Sequence, residues 1–345
     1  MPTGEGPAPI AVVAYSSDWP ARFAAERDAL ARVFPPDAFT IEHIGSTAVT
    51  GLDAKPVVDI LIGAPSLPEI EARIGAMVAL GYQYVPEHEA VLPERRFFAK
   101  PAVRPRQFHV HAVRADSPFR AEHLRFRDAL RADPALAAEY GALKRRLAAR
   151  YGADREGYTD AKSTFIRSVV HPLRTVTTSA LALEPQVAAH ADAMFAVLSD
   201  PAIYEHENAP PPSVASLRER YRRLETRRSP DGSEQWLNWV VRLPSGELAG
   251  YVQATVHADG RAAVAYELAS RFWNRGLGRA AVEAMIGELV ARHGARTLSA
   301  VLKRTNSRSR RLLERLGFAD ASPEAHALWR VEPDEMLMER IARCA

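Results

Sequence analysis

Two glycines flanked by two arginines mark the first place in this sequence where chemistry can be read. In AAVAYELASRFWNRGLGRA, Ala262 to Ala280, a short apolar strand gives way to the mouth of a helix, with Gly276 and Gly278 at the turn beside Arg275 and Arg279. No side chain covers the glycine amides, so backbone N–H groups at this turn can point at an anion. A helix N-terminus adds unpaired donors and the positive end of its dipole. Glycine also reaches the backbone angles such a turn needs. The ligand expected there is a phosphate or pyrophosphate approached by main chain. A tight strand-to-helix connection with two solvated arginines fits the same residues, so the turn alone decides nothing.

The surrounding pattern narrows the choice. Ala281, Val282, Met285, Ile286, Leu289 and Val290 recur at helical spacing, and Gly294 is placed as a stop. An apolar, strand-like run from Arg296 to Leu302 follows, then Asn306, Ser309 and a helix ending in Leu316, Gly317 and Phe318. Upstream, Trp236 to Arg242 and Glu247 to Thr255 read as strands joined by Pro244-Ser245-Gly246, an antiparallel hairpin feeding the Ala262 to Leu268 strand. The helix after Gly278 then crosses over to a parallel strand at Thr297 to Leu302. Earlier still, a helix is expected over Glu184 to Leu198, followed by the proline-rich ENAPPPS, and Ser213 caps SVASLRERYRRLETRR. The arginines of that last helix lie among Glu219 and Glu225, a solvated, salt-bridged face. Apart from Tyr221, no aromatic residue is interleaved with them, which argues against nucleic acid as a partner.

Strand, anion-binding turn, helix, strand, Asn, helix, Gly-Phe is an order that resembles the GNAT superfamily of acyl-CoA N-acyltransferases, over about Leu173 to Arg340. The closest branch is the one that includes ribosomal-protein N-terminal acetyltransferases. The resemblance implies a GNAT fold with a splayed mixed sheet and acetyl-CoA as cofactor. Its pyrophosphate would sit on Arg275, Gly276, Leu277, Gly278, Arg279 and Ala280, and its pantetheine would pair with the backbone of Tyr266 and Leu268. The implied reaction is direct attack by an amine, of a small molecule or a protein N-terminus, without a covalent enzyme intermediate. Glu267 is the candidate base, since burial can raise a carboxylate's proton affinity toward neutrality; it could equally face solvent or pair with an arginine. Asn306 matches the family's Asn and is also a good helix N-cap. Ser309 stands where this branch places a hydroxyl near the sulfur, whereas the tyrosine that many relatives use is replaced here by Leu313. Lys303, Arg304, Arg308 and Arg310 are candidates for the CoA 3′-phosphate.

The first half holds a second constellation. In IEHIGSTAVTGLDAKPVVD a strand end leads to Gly45 and Ser46, and Val57 to Leu61 form a strand carrying Asp59. The arrangement resembles nucleotidyltransferases, in which a Gly-Ser turn holds triphosphate and an acidic strand holds magnesium. HIGSTAV and GLDAKPVVDI, with FHVHAV, FRDALR, EYGALKRRLA and YTDAK, resemble the GrpB-like family over about Val12 to Val170, implying a nucleotidyltransferase-like mixed sheet with helices. The second acidic position of a two-metal strand is Leu61, so that metal pair cannot form. His109 and His111 share a strand face and with Asp59 could hold a different divalent metal, but hydrogen-bonded core or rim histidines are the better reading. No metal is assigned; Mg2+ or another divalent ion stays an option only for this half. Lys55, Arg96 and Lys162 could contact phosphates. The role expected here is binding of a nucleotide or another phosphate ligand.

These sites need two cores, and the chain has material for both. Its 345 residues are 47% hydrophobic and 25% charged, which places it among ordinary globular proteins of α+β or α/β class with two domains. His171 and Pro172 break a helical pattern, so the expected domains are 1–172 and 173–345. In the first, Asp18 is expected to cap a helix whose Phe23, Leu30, Val33 and Phe34 face the core and whose Glu26 faces water. Forty-five basic and 42 acidic residues are too even for a DNA-binding charge. The single cysteine, Cys344, cannot form an intramolecular disulfide, Met1 to Pro9 reads as a loose Gly- and Pro-rich tail, and the start lacks the pattern of a secretory signal. No run of about 18 apolar residues exists. A cytoplasmic enzyme is expected, with no membrane partner. Two other functions fit the same residues: a metal-dependent nucleotidyltransferase centred on the first half, giving a bifunctional chain, or a non-catalytic ligand- or partner-binding first half.

Overall fold

A computed structural model describes residues 10–103, 105–206 and 209–342. Cys344 and the Met1 to Pro9 tail lie outside the described residues, as do Glu207 and Asn208 of the proline-rich loop. The chain divides into two compact units, Met1–Thr159 and Asp160–Ala345.

The first unit runs through α1 (Asp18–Leu30), β1 (Thr40–Ile44), β2 (Val58–Ala64), α2 (Leu67–Glu71), α3 (Ile74–Ala79), β3 (Gln83–Tyr84), β4 (Arg95–Lys100), β5 (Phe108–Arg114), α4 (Pro118–Ala132) and α5 (Pro134–Tyr151). The next helix, α6 (Arg155–Val170), crosses the division. The sheet order is β1-β2-β5-β4-β3, parallel only between β2 and β5. Alternation along the strands sorts the side chains. Val58, Ile60, Ile62, Val110, Ala112 and Phe98 join Trp19, Leu30, Ile70 and Met77 in the main core. Asp59, Leu61, His109, His111 and Phe97 therefore face the other way. There Leu61, Ile44 and Val113 pack against Phe119 and Leu124 of α4, covering part of that face.

Two expectations for α1 need correction. Asp18 is its first helical residue rather than its cap, and its N–H donates to the Ser16 hydroxyl at 3.2 Å. Glu26, expected in water, is buried because it accepts hydrogen bonds from the Tyr82 hydroxyl (3.0 Å) and from Lys100 (2.8 Å). A helical stripe cannot show a cation that a distant strand supplies.

The second unit contains β6 (Val176–Thr177), β7 (Ala182–Pro185), α7 (Ala191–Leu198), α8 (Val214–Leu224), β8 (Glu234–Arg242), β9 (Leu248–His257), β10 (Arg261–Leu268), α9 (Leu277–Arg292), β11 (Thr297–Lys303), α10 (Ser307–Arg315), β12 (Ala319–Asp320), α11 (Pro323–Trp329) and β13 (Glu335–Ile341). Its strand order is β12-β13-β11-β10-β9-β8-β7-β6. The helix expected over Glu184 to Leu198 starts only at Ala191. Ala182–Pro185 instead pairs antiparallel with β8, burying Leu183 beside Val241. A short apolar run serves either element, and tertiary pairing chose the strand. Val282, Met285 and Leu289 of α9 join the core around Trp239, whose indole N–H donates to the Arg174 carbonyl at 3.0 Å.

One break in the sheet positions the site. Parallel strands β10 and β11 pair at Arg261↔Thr297, Ala262↔Leu298 and Ala263↔Ser299, and no further. Each stays paired on its outer side, β10 with β9 to Leu268↔Gly250 and β11 with β13 to Lys303↔Glu335. Neighbouring strands that part while held by their other partners open a wedge inside the sheet.

Candidate functional sites

The wedge holds a cavity of about 460 Å³ lined by Tyr266, Glu267, Leu268, Gly276, Gly278, Arg279, Asn306 and Ser309, among others. The sequence places those residues in three separate stretches; the split between β10 and β11 brings them to one hole. Gly276 adopts a left-handed conformation (φ 76°) as the N-terminal flanking residue of α9, and no side chain caps the helix. The first amide of this turn bonded within the fold is that of Ala280, which donates to the Gly276 carbonyl at 3.0 Å. Among the described residues the N–H groups of Gly276, Leu277, Gly278 and Arg279 meet no acceptor, the unsatisfied set that an anion completes. Of the expected cradle, the Ala280 N–H is thus already bonded within the fold.

Strand chemistry supplies a second unpaired edge. Ala269 N–H donates to the Ala249 carbonyl of the strand before it, so by two-residue alternation Glu267 turns its main chain to β9, while Tyr266 and Leu268 turn theirs into the wedge. The Leu268 carbonyl is already occupied, accepting from the Trp273 indole N–H at 2.8 Å. The Arg308 guanidinium lies 3.5 Å from the centroid of that indole. Tyr266 aims its hydroxyl at the Ser309 carbonyl (3.4 Å), and burial pushes the phenol's pKa up to about 12. Glu267 is half-buried in the lining, and its carboxylate contributes to raising the Tyr204 phenol, after burial itself.

Asn306 is a helix cap: its Oδ1 accepts from the Ser309 N–H at 3.0 Å. Asn306→Ala should therefore lower the second unit's stability by about 1 kcal/mol, read from urea midpoints, with the loss concentrated in α10. The candidates for a 3′-phosphate divide. Lys303 is held by Asp334 and Glu335, both at 3.0 Å, and Arg310 by Glu314 at 3.0 Å. Arg304 donates to the Pro333 carbonyl, whereas Arg308 remains in the lining. His206, Trp273 and Arg311, which the sequence did not single out, also line the cavity. His206 faces the Thr305 hydroxyl at 3.3 Å.

In the first unit the Gly-Ser turn and the acidic strand do meet. Ile44 pairs with Asp59, and the next residue, Gly45, bends with φ 71°; a Cβ there would fall 2.5 Å from Asp59 Oδ2. Ser46 begins a 3-10 turn. The parallel β2–β5 register sets Asp59 beside His109, with Oδ1 3.2 Å from His109 Nδ1 and 3.9 Å from His111 Nε2. Burial works against ionisation of Asp59, but hydrogen bonds and charge from the two histidines outweigh it and hold the carboxyl well below the usual range. Burial lowers His111 to about 4, so it is neutral near pH 7. Lys55 lies 4.3 Å from the centroid of the Tyr158 ring, and burial lowers its pKa. Arg96, a candidate for phosphate contact, is tied to Glu71 (2.6 Å) and Glu89 (3.3 Å). Lys162 lies on α6, beyond the division at Thr159. Among the described residues no group of three His, Cys, Asp or Glu side chains is arranged to hold a metal ion.

A mixed sheet split between parallel strands, above a helix mouth of unbonded amides, defines the second unit as a GNAT-type domain, and residues 180–319 match the acetyltransferase (GNAT) domain family. Residues 9–171 match the GrpB protein family, to which this chain belongs. The glutamate-rich protein GrpB of Alkalihalophilus pseudofirmus is 30% identical over 168 residues, 48% of this chain and 95% of that protein. The UPF0157 protein YqkA of Bacillus subtilis is 35% identical over 159 residues, 46% of each, so the chain spans about half of that relative's length. Among solved structures, the RimL ribosomal L7/L12 alpha-N-protein acetyltransferase aligns with 49% of this chain and 98% of its own at 17% identity and a TM-score of 0.41. No helix among the described residues is long and apolar enough to cross a membrane.

Proposed function

We propose that the chain is an acetyl-CoA-dependent N-acetyltransferase acting on an amine of a small molecule or a protein N-terminus. The observation that carries this reading is one cavity in which three of the four unbonded helix-mouth amides (Gly276, Gly278 and Arg279), an unpaired strand edge and a carboxylate meet. Acetyl-CoA supplies an acetyl group already activated as a thioester. The amides of Gly276 to Arg279, with Arg275 and Arg279, hold its diphosphate. Tyr266 offers an N–H and a carbonyl to the pantetheine, and Leu268 its N–H alone, since Trp273 takes its carbonyl. Glu267 accepts the proton that the attacking amine must lose. As the C–N bond forms and the C–S bond breaks, the sulfur would leave as the CoA thiolate, with the Ser309 hydroxyl as its hydrogen-bond donor and solvent as its proton source, while the Tyr266 phenol, kept protonated by burial, steadies the Ser309 carbonyl.

The first unit, in this reading, binds a nucleotide or another phosphate-bearing ligand at the Gly45–Ser46 turn, with Lys55 as a nearby cation. The boundary between the two functions is placed at 172/173. Incubating the chain with acetyl-CoA and a panel of amines, including aminoglycosides and peptides, should release free CoA thiol with at least one acceptor class. Thiol release no faster than without protein across the whole panel would sink the proposal.

A further inference from the structure

The described face of the first unit carries a half-buried cation, Arg95, that has no carboxylate at ion-pair distance, although the charge of its neighbour Glu94 reaches it. Arg95, at the start of β4, lies beside Phe97 and Phe119, with its guanidinium carbon 5.3 and 5.6 Å from the two ring centroids. It donates to His111 Nδ1 and to His88 Nδ1, each at 3.2 Å, and its Nε is buried without a partner. Among the described residues no carboxylate lies within 4 Å of it. A guanidinium is answered best by the paired oxygens of a phosphate or carboxylate, and two neutral rings are a poor substitute in a partly desolvated place.

The geometry fixes the rest. A guanidinium only donates, so His111 Nδ1 holds a lone pair and its hydrogen sits on Nε2, toward Asp59. Asp59 is an acceptor, so the His109 hydrogen sits on Nδ1 and its Nε2 is left as an acceptor on a ring about 29% exposed. His88 stacks on Phe97 with ring centroids 4.6 Å apart, and His109 and His111 lie 5.2 and 5.1 Å from the same ring. Arg106 and Glu87 add charges near His88, and burial and Arg95 keep that imidazole below its ordinary pKa. One aromatic ring thus has a cation with a spare donor and three imidazoles around it, while Asp59 stands behind two of them.

We infer that Arg95, with His88 and His109 around Phe97, is the clamp for a terminal phosphate group in the first unit. The inference deepens the phosphate-ligand reading given above and rests on it. Arg95 supplies the fixed charge. The His109 Nε2 offers an acceptor to the hydrogen of a monoprotonated phosphate.

The test uses the full chain labelled at histidine, with the His88, His109 and His111 resonances assigned from single His→Gln variants. Inorganic phosphate, AMP, ATP and adenosine are titrated in turn. Saturable shifts of these resonances, with His293, buried in the second unit, unmoved, are expected for at least one phosphate probe. Arg95→Met, which keeps the stem over Phe97, should weaken that binding at least about tenfold, and Arg95→Lys should fall between. Tighter binding of inorganic phosphate identifies a free phosphate as the ligand; tighter binding of AMP or ATP identifies a nucleotide. If Arg95→Met melts like the parent yet saturates at the same concentration, the clamp is wrong and the phosphate reading stands. If adenosine alone matches AMP, or no probe moves these resonances up to about 10 mM, the phosphate reading falls with it.

Discussion

Gly278→Asp should abolish acetyl-CoA binding while leaving the fold intact. Residue 278 is the second of the helical turn whose amides meet no acceptor, and its backbone needs no left-handed angle, so a side chain there is not strained by conformation. What changes is the ligand's surroundings. A carboxylate added beside a diphosphate places like charges a few ångströms apart, worth on the order of 4 kcal/mol at the effective dielectric of a protein surface. A loss of 100-fold or more in affinity follows. Gly278→Ala is the control: its Cβ would lie 3.1 Å from Leu312 Cδ1, the end of a side chain that can shift, so it should bind within a few-fold of the parent. Calorimetric titration with acetyl-CoA and the thermal midpoint of each variant make the comparison. An aspartate variant that binds as the parent does would remove the diphosphate from this helix mouth.

The same turn shows why some of the site could be read from sequence and some could not. Gly276, Gly294 and Gly317 all take positive φ, at 76°, 71° and 83°, and glycine at a helix boundary is a local signal that needs no tertiary knowledge. The wedge is not local. Nothing in AAVAYEL or TLSAVLK states that pairing stops after Ala263, because the parting depends on which strands hold their outer edges. Trp273 likewise reads as an ordinary aromatic until the chain folds back to give its N–H the Leu268 carbonyl. In the first unit, adjacent arginines illustrate the limit. The sequence offers Arg96, with Lys55 and Lys162, for phosphate contact, yet alternation sends it to Glu71 and Glu89, and the neighbour Arg95 lands beside His111. Deciding between them requires the register of β4 against β5, and a single strand's composition does not carry it.

That dependence on register also governs the base. Gly250 lies against the Glu267 carbonyl so closely that any Cβ at 250 would strike it, and this pins β10 at the residue whose side chain enters the cavity. Glu267→Gln keeps size and hydrogen-bonding capacity but cannot accept a proton. The expected result is a fall in kcat of about 10²- to 10³-fold, with the acetyl-CoA dissociation constant unchanged, because the diphosphate and strand-edge contacts are main-chain. The pH profile should change too. With a carboxylate base, kcat/KM falls as the pH is lowered and the base is protonated; in the glutamine variant that acidic limb should vanish, leaving only the limb set by the amine. A second consequence reaches Tyr204, whose phenol is raised by burial and then by the Glu267 charge: removing the charge should move its titration downward. If the variant loses affinity for acetyl-CoA in proportion to its rate, Glu267 shapes the cavity. If it keeps both its rate and its acidic limb, the proton leaves the amine by another route.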